Sequence, residues 1–313
     1  EDYSAYTTWS DTAMVEIIFN DSAITTLISG SQMPNGIAMD AWRIISLPAV
    51  PADNTITTNL VDELGTPDDT IWRMFRYSNG GYVANPITLN SGESYWLYQR
   101  VGDNLALNMS SGQAGNLEGI PLTVPAGGWA FIGSPYPFGI DVNLDQTDFY
   151  GPVTYGITGE GWSDVVTTLQ PWGGYAVYNR TEADQTIELD PNPGSPGMAR
   201  IATEAGWQIS LKAQSGAYVD GYNRFGCLES ASNDLDWHDN PEITAPVNYL
   251  SWSFKVDQND KIFQMTSDLR QFTNDVHTWD GEIKNSGVTE PTTVSWSIEQ
   301  DLPGNTAVLL LDL

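Results

Sequence analysis

Two stretches of this chain repeat one another, and an internal repeat constrains a fold more than any single motif does. Leu89-Asn-Ser-Gly-Glu-Ser-Tyr95-Trp96-Leu97-Tyr98-Gln99-Arg100 matches Leu169-Gln-Pro-Trp-Gly-Gly-Tyr175-Ala176-Val177-Tyr178-Asn179-Arg180. Upstream, Trp42-Arg-Ile-Ile-Ser-Leu-Pro48 matches Trp129-Ala-Phe-Ile-Gly-Ser-Pro135. Between these blocks, Tyr77-Ser-Asn-Gly-Gly-Tyr82 matches Ile157-Thr-Gly-Glu-Gly-Trp162, and downstream Leu105-Ala-Leu107 matches Thr186-Ile-Glu-Leu189. The blocks keep one order, so residues 41–110 and 128–190 read as two copies of one unit, within a region spanning 38–190.

Each copy reads as strands. Apolar runs are short and end on Gly, Pro, Asn, Asp or Ser, the pattern of many short strands joined by tight turns. Trp72-Arg-Met-Phe-Arg-Tyr77, then Asn79-Gly80, then Tyr82-Val83 spells a hairpin, because glycine supplies the positive φ such a turn needs. A short helix is expected over 59–64, stopped by Gly65, and 143–151 is the related segment of the second copy. Alternation assigns faces: Tyr95 and Leu97 match Tyr175 and Val177, so that side is the expected core. Trp96 lies on the other side and becomes Ala176, which marks Trp96 as a candidate exposed aromatic.

The flanks differ from the repeat. Residues 14–19 and 24–28 read as two strands within a 1–37 segment, the end of a preceding β domain or an addition to a neighbour's edge. Asp190-Pro-Asn-Pro-Gly-Ser-Pro-Gly197 is a linker by composition, bounded at 191–198. Strands resume at 207–211, 249–254, 292–298 and 307–311, a spacing that suggests a β-sandwich over 199–313, truncated at its C-terminus. The fold class expected is all-β: tandem duplicated small β units followed by a β-sandwich.

Composition narrows the partners. Twelve Lys and Arg stand against 40 Asp and Glu, a formal net charge of −28. Such a chain is repelled by phosphate backbones and anionic lipid, so neither nucleic acid nor direct membrane insertion is expected. No stretch reaches the roughly 20 apolar residues of a membrane helix. The single cysteine, Cys227, forbids an intrachain disulfide. In Phe225-Gly226-Cys227-Leu228 it reads as a small buried hydrophobe.

The blocks Trp42-Arg-Ile-Ile-Ser-Leu-Pro48, Leu64-Gly65, Trp72-Arg-Met-Phe-Arg-Tyr77 and 92–97 resemble a segment of large secreted bacterial surface proteins. Those proteins carry immunoglobulin-like or fibronectin-type repeats and are often cargo of type IX secretion. The tail blocks Gly206-Trp207-Gln-Ile-Ser-Leu211, Asn223-Arg-Phe-Gly226, Asp234-Leu-Asp236-Trp-His-Asp239-Asn-Pro241-Glu242 and Val294-Ser-Trp296 are similar to the next module of that architecture. The resemblance implies β domains and an extracellular or cell-surface location. It implies no reaction, since such modules sit beside an enzyme or adhesin.

The residues themselves point the same way. The two histidines, His238 and His277, lie outside any nucleophile motif, and neither a phosphate loop nor a dinucleotide glycine pattern occurs. The best chemical candidate is a calcium site at Asp234, Asp236, Asp239 and Glu242, where closely spaced acids would be relieved by a cation taking six to eight oxygens. A second candidate metal set is Asp141, Asn143, Asp145 and Asp148. Three functions follow: a structural or adhesive module, self-assembling through unpaired edges with copies of itself or with neighbouring domains of its polypeptide; a carbohydrate-binding module using Trp96, Trp162 and Trp172 as glycan platforms; or an accessory region of a secreted hydrolase whose catalytic residues lie elsewhere.

Overall fold

The computed structural model describes residues 36–311, apart from 110, 114, 157–160, 195, 196, 198–203, 259, 274, 275, 301 and 305. The expected strands at 14–19 and 24–28, and part of the expected linker, lie outside the described residues.

The first segment runs β1 (Trp42–Ser46), β2 (Val50–Pro51), α1 (Ile56–Leu64), β3 (Trp72–Ser78), β4 (Gly81–Ala84), β5 (Ser94–Gln99) and β6 (Gly112–Gln113). Four strands form one antiparallel sheet in the order β1-β5-β3-β4. The β3–β4 turn holds Asn79 at φ 52° and Gly80 at φ 78°, the two positive values of a type I′ turn, whose twist matches that of its strands. Helix α1 starts three residues before the expected 59–64. Thr55 is the reason: its Oγ1 accepts the Thr58 N–H at 3.3 Å and caps the helix there. Gly65, at φ 77°, ends it. Ile56, Leu60 and Leu64 recur on one helical face and pack against Tyr95 and Leu97.

The second segment runs β7 (Ile120–Val124), β8 (Trp129–Gly133), β9 (Ile140–Asp141), β10 (Phe149–Val153), β11 (Thr168–Leu169), β12 (Gly174–Asn179) and β13 (Gln185–Leu189). Its main sheet is ordered β8-β12-β10. Trp42 pairs with Tyr98 and Ser46 with Ser94 in the first segment, while Trp129 pairs with Tyr178 and Gly133 with Gly174 in the second. In each, the strand tyrosine's hydroxyl accepts a loop N–H, Asn90 to Tyr95 at 2.7 Å and Gln170 to Tyr175 at 2.9 Å. Where the first segment has α1, the second has a loop, in which the Asp145 carboxylate caps a turn at Thr147. β7 pairs with β13, so the second segment draws in residues upstream of 128.

The two sheets do not each bury one face. β5 is buried on both: Tyr95 and Leu97 face α1, and Trp96 and Tyr98 face the second segment. A shared layer forms between the segments, with Trp42, Ile44 and Trp96 from one and Trp129, Phe131, Tyr150 and Ala176 from the other. At its margin the backbones touch. Ser46 N–H donates to Trp172 C=O at 3.0 Å, and Gly133 N–H donates to Gly92 C=O at 2.8 Å. A Cβ on Gly174 would lie 2.3 Å from Ile44 Cγ2. Gly174→Val is therefore expected to destabilise the protein by about 3 kcal/mol through forced separation of the segments, read as a lower urea midpoint. An unchanged midpoint would mean that this contact is not close in solution.

The C-terminal segment is a sandwich. One sheet, ordered β18-β15-β14-β20, uses β14 (Gly206–Ser215), β15 (Tyr218–Leu228), β18 (Ser267–Gln271) and β20 (Thr293–Ile298). The other, ordered β17-β16-β19, uses β16 (Tyr249–Gln258), β17 (Lys261–Met265) and β19 (Asp280–Ser286). Trp207, Ile209, Leu211, Phe225 and Cys227 from the first sheet meet Leu250, Trp252, Phe254 and Met265 from the second. β18 runs parallel to β15, because the chain crosses from one sheet to the other within Met265–Ser267. The strand expected at 307–311 does not form. Leu309, Leu310 and Leu311 are exposed, and no described strand lies beside them to satisfy their backbone.

Candidate functional site

Ionisable groups that are buried, close together and perturbed mark the places where a fold can do chemistry. Here they gather at one junction, where the 229–247 loop between β15 and β16 meets the second segment. Arg180, at the end of the repeated motif, donates to Asp239 C=O at 2.6 Å and to Asn240 Oδ1 at 2.7 Å. Its guanidinium is drawn down from its ordinary pKa chiefly by burial. Arg100, its counterpart in the sequence, is instead half-exposed and pairs with Asp40 at 2.6 Å. Farther along, the loop's carbonyls accept from the aromatic layer: Trp162 Nε1 donates to Ile243 C=O at 2.9 Å, Tyr82 OH to Thr244 C=O at 2.5 Å, and Trp42 Nε1 to Val247 C=O at 2.8 Å.

His238 lies within this loop, with 3% of its side chain exposed. Its Nδ1 is 2.8 Å from Asp236 Oδ1, and its Nε2 is 3.2 Å from Ser230 Oγ and 3.3 Å from both carboxylate oxygens of Glu204. Serine, histidine and aspartate so placed outline a hydrolytic triad. Glu204 changes the chemistry. It sits on the nitrogen that would have to take the serine's proton, and Ser230 Oγ donates to it. Burial pulls the imidazole pKa down, but hydrogen bonds and charge from Asp236 and Glu204 outweigh this and hold it above the ordinary value. Once protonated, the imidazole donates from both nitrogens and has no lone pair for a base to use. The cluster ties Glu204, just ahead of β14, to the loop.

A second group lies beneath. Asp220 on β15 and Glu242 in the loop line a small enclosed cavity with Tyr155, Trp162 and Leu250. Asp220 Oδ2 accepts the Trp252 N–H at 2.6 Å, and Glu242 Oε1 accepts from Ser251 Oγ at 3.0 Å. Burial pushes Asp220 up to about 6. Burial and then the Asp220 charge hold Glu242 well above its ordinary value.

The sequence-selected residues fall out differently. Asp234, Asp236, Asp239 and Glu242 do not converge, because protein donors already hold three of them. Asp236 takes the N–H groups of Ser232 and His238, Asp239 those of Asp236 and Leu269, and Glu242 the Ser251 hydroxyl, while Asp234 is exposed. Asp141, Asn143, Asp145 and Asp148 are exposed: Asp141 accepts from Thr168 Oγ1 on the neighbouring strand, and Asp145 is committed to its turn. Among the described residues, no three histidine, cysteine, aspartate or glutamate side chains are placed to share one metal ion. The glycan candidates are corrected too. Trp96 and Trp172 are fully buried and Trp162 nearly so, since the second segment covers the face that alternation left open. Trp172, at φ 65°, turns into the first segment's core from the position that Gly92 holds there. Cys227 is buried and pushed up to about 11 by that burial. His277 Nε2 lies 3.0 Å from Thr273 Oγ1.

Sequence reasoning passed over Glu204, Ser230, Asp220 and Arg180. Asp220 carried no usable signal, because Asp220, Asn223 and Arg224 together interrupt the strand pattern of β15. Comparison of the chain with protein-family models, with curated proteins and with solved structures found no match.

Proposed function

We propose that this chain is a non-catalytic structural or adhesive module of a secreted or cell-surface bacterial protein. One observation carries the reading. Three segments are fastened through a single buried aromatic layer, and the 229–247 loop holds that joint with backbone carbonyls that accept from Arg180, Trp162, Tyr82 and Trp42. Perturbed groups in an enzyme face a cleft; here Asp236, His238, Asp239 and Arg180 face one another and the backbone, and the cavity that Asp220 and Glu242 line holds only about 10 Å³. The acidic surface and the resemblance to secreted repeat modules support the extracellular placement.

A module that transmits tension should yield as a unit. Pulled by its two ends in a single-molecule force experiment, the described body is expected to unfold in one event that releases the three segments together. Separate force peaks for residues 36–190 and 204–311 would overturn the reading, because the joint would then be weaker than the parts it joins.

A further inference from the structure

Among the described residues the C-terminal sandwich has four edge strands, β18 and β20 on one sheet and β17 and β19 on the other; the 240–242 loop bonds to β17, and Asp239 and Trp279 bond to backbone groups of β18. Natural proteins protect such edges with charge, proline or bulges. β18 carries Asp268 and Arg270, β17 carries Lys261, and β19 carries Asp280, Glu282 and Lys284. β20 reads Thr-Val-Ser-Trp-Ser-Ile, with no charge and no proline. Among the described residues it is the one edge strand of the four with neither a charge nor a covering loop, in a chain of net charge −28.

Its geometry suits a partner strand. Among the described residues β20 pairs only with β14. Glu299 N–H donates to Gln208 C=O, so by alternation the N–H and C=O groups of Val294, Trp296 and Ile298 point away from β14. These residues stand beside Ala213, Leu211 and Ile209 on the core-facing side, yet Trp296 is 62% and Ile298 55% exposed. Val294 packs against the sandwich core, but the opposite sheet does not reach over Trp296 and Ile298.

The strand is also symmetric in chemistry about Trp296. Ser295 and Ser297 flank it, and β-branched Val294 and Ile298 flank those. A two-fold axis normal to the sheet through Trp296 would set Trp296 against its own copy and Val294 against Ile298 of the second chain. Self-complementarity of this kind is what an isologous contact requires.

We propose that β20 joins two copies of this chain, edge to edge and antiparallel about Trp296, closing a continuous eight-stranded sheet across the pair. The axis closes the assembly at two chains. Both chains are strongly acidic, so salt, by screening their repulsion, tightens the pair. The pairing deepens the structural-module reading and rests on it for its biological meaning. A chain that unfolds as one body yet stays monomeric would overturn the pairing alone.

Sedimentation velocity of the full chain, from micromolar to millimolar at low and high salt, tests the proposal. The expected result is a species of twice the monomer mass that becomes more populated with concentration and with salt. Trp296→Lys sets two like charges on the axis and is expected to leave only monomer. Val294→Pro removes an outward N–H and no bond to β14, so it is expected to weaken the pair at least tenfold while the far-ultraviolet spectrum and melting temperature stay near those of the parent. Trp296→Cys is expected to give a covalent dimer on oxidation, since Cys227 is buried. Monomer under every condition, a dimer that survives Trp296→Lys, or mass that grows without a limit at two chains would each overturn the proposal.

Discussion

Replacing Trp96 with alanine is expected to cost about 3–5 kcal/mol of stability, the upper range for a buried aromatic. Trp96 is fully buried at the centre of the shared layer. Its ring contacts Trp42 and Tyr82 of its own segment, and Phe131, Tyr155 and Trp162 of the second, with centroids 4.9 to 6.4 Å away. Trp162 in turn holds the loop of the C-terminal segment through Ile243 C=O. The residue facing Trp96 in the sequence match is Ala176, which cannot fill the hole. The cavity therefore opens where the segments meet. Urea denaturation measures the loss as a lower midpoint with an unchanged slope. A loss under about 1 kcal/mol, the central value for point substitutions generally, would contradict a layer that holds the segments together. A loss confined to one of several resolved transitions would do the same.

Stability is expected to rise as pH falls from 8 to 5, which reverses the usual behaviour of a protein rich in carboxylates. Burial pushes Asp220 up to about 6 and Asp239 up to about 7. Glu63 is also raised to about 7, chiefly by burial and then by Asp62, and Glu242 stands well above its ordinary value. Between the ordinary carboxylate range and these values the native state binds more protons than the unfolded chain. Stability therefore falls as pH rises through that window. His238 acts in the same direction: its folded pKa is raised, so its contribution is complete below the ordinary histidine value and lost as pH climbs through the folded one. The depressed carboxylates Asp40, Asp53, Asp68, Asp145, Asp236 and Glu282 act oppositely, but only below about 4, where their unfolded forms take up protons. Asp220 and Asp239 together amount to a change on the order of 5 kcal/mol. Melting temperature across this range checks the effect, and Asp239→Asn should flatten part of the slope. A melting temperature that is level or climbs between pH 5 and 8 would contradict the burial of these groups.

Much of the fold was legible because the backbone signals are local. The β3–β4 hairpin is written in Asn79-Gly80, the end of the helix in Gly65, and β1, β5, β12, β14, β16 and β20 in apolar runs bounded by turn residues. β15 was not legible, because Asp220, Asn223 and Arg224 interrupt its pattern, and β17, β18 and β19 are short or polar. The error over Trp96 has one cause: alternation was read as if each strand had one wet face. The unbroken run Tyr95-Trp96-Leu97-Tyr98 is what a strand buried on both faces looks like, and it could have corrected the assignment. The acids of 234–242 were visible as a cluster. Their fate was not, because it depends on donors from Leu269 and Ser251 and on the Arg180 guanidinium, all distant in sequence.

The most direct test of the shared layer is differential scanning calorimetry of the whole chain near pH 6. One endotherm is expected, with calorimetric and van't Hoff enthalpies equal, because no segment can leave the layer without exposing the others. Two or more transitions, or a calorimetric enthalpy well above the van't Hoff value, would show that the segments melt independently and that the aromatic layer does not bind them into one body.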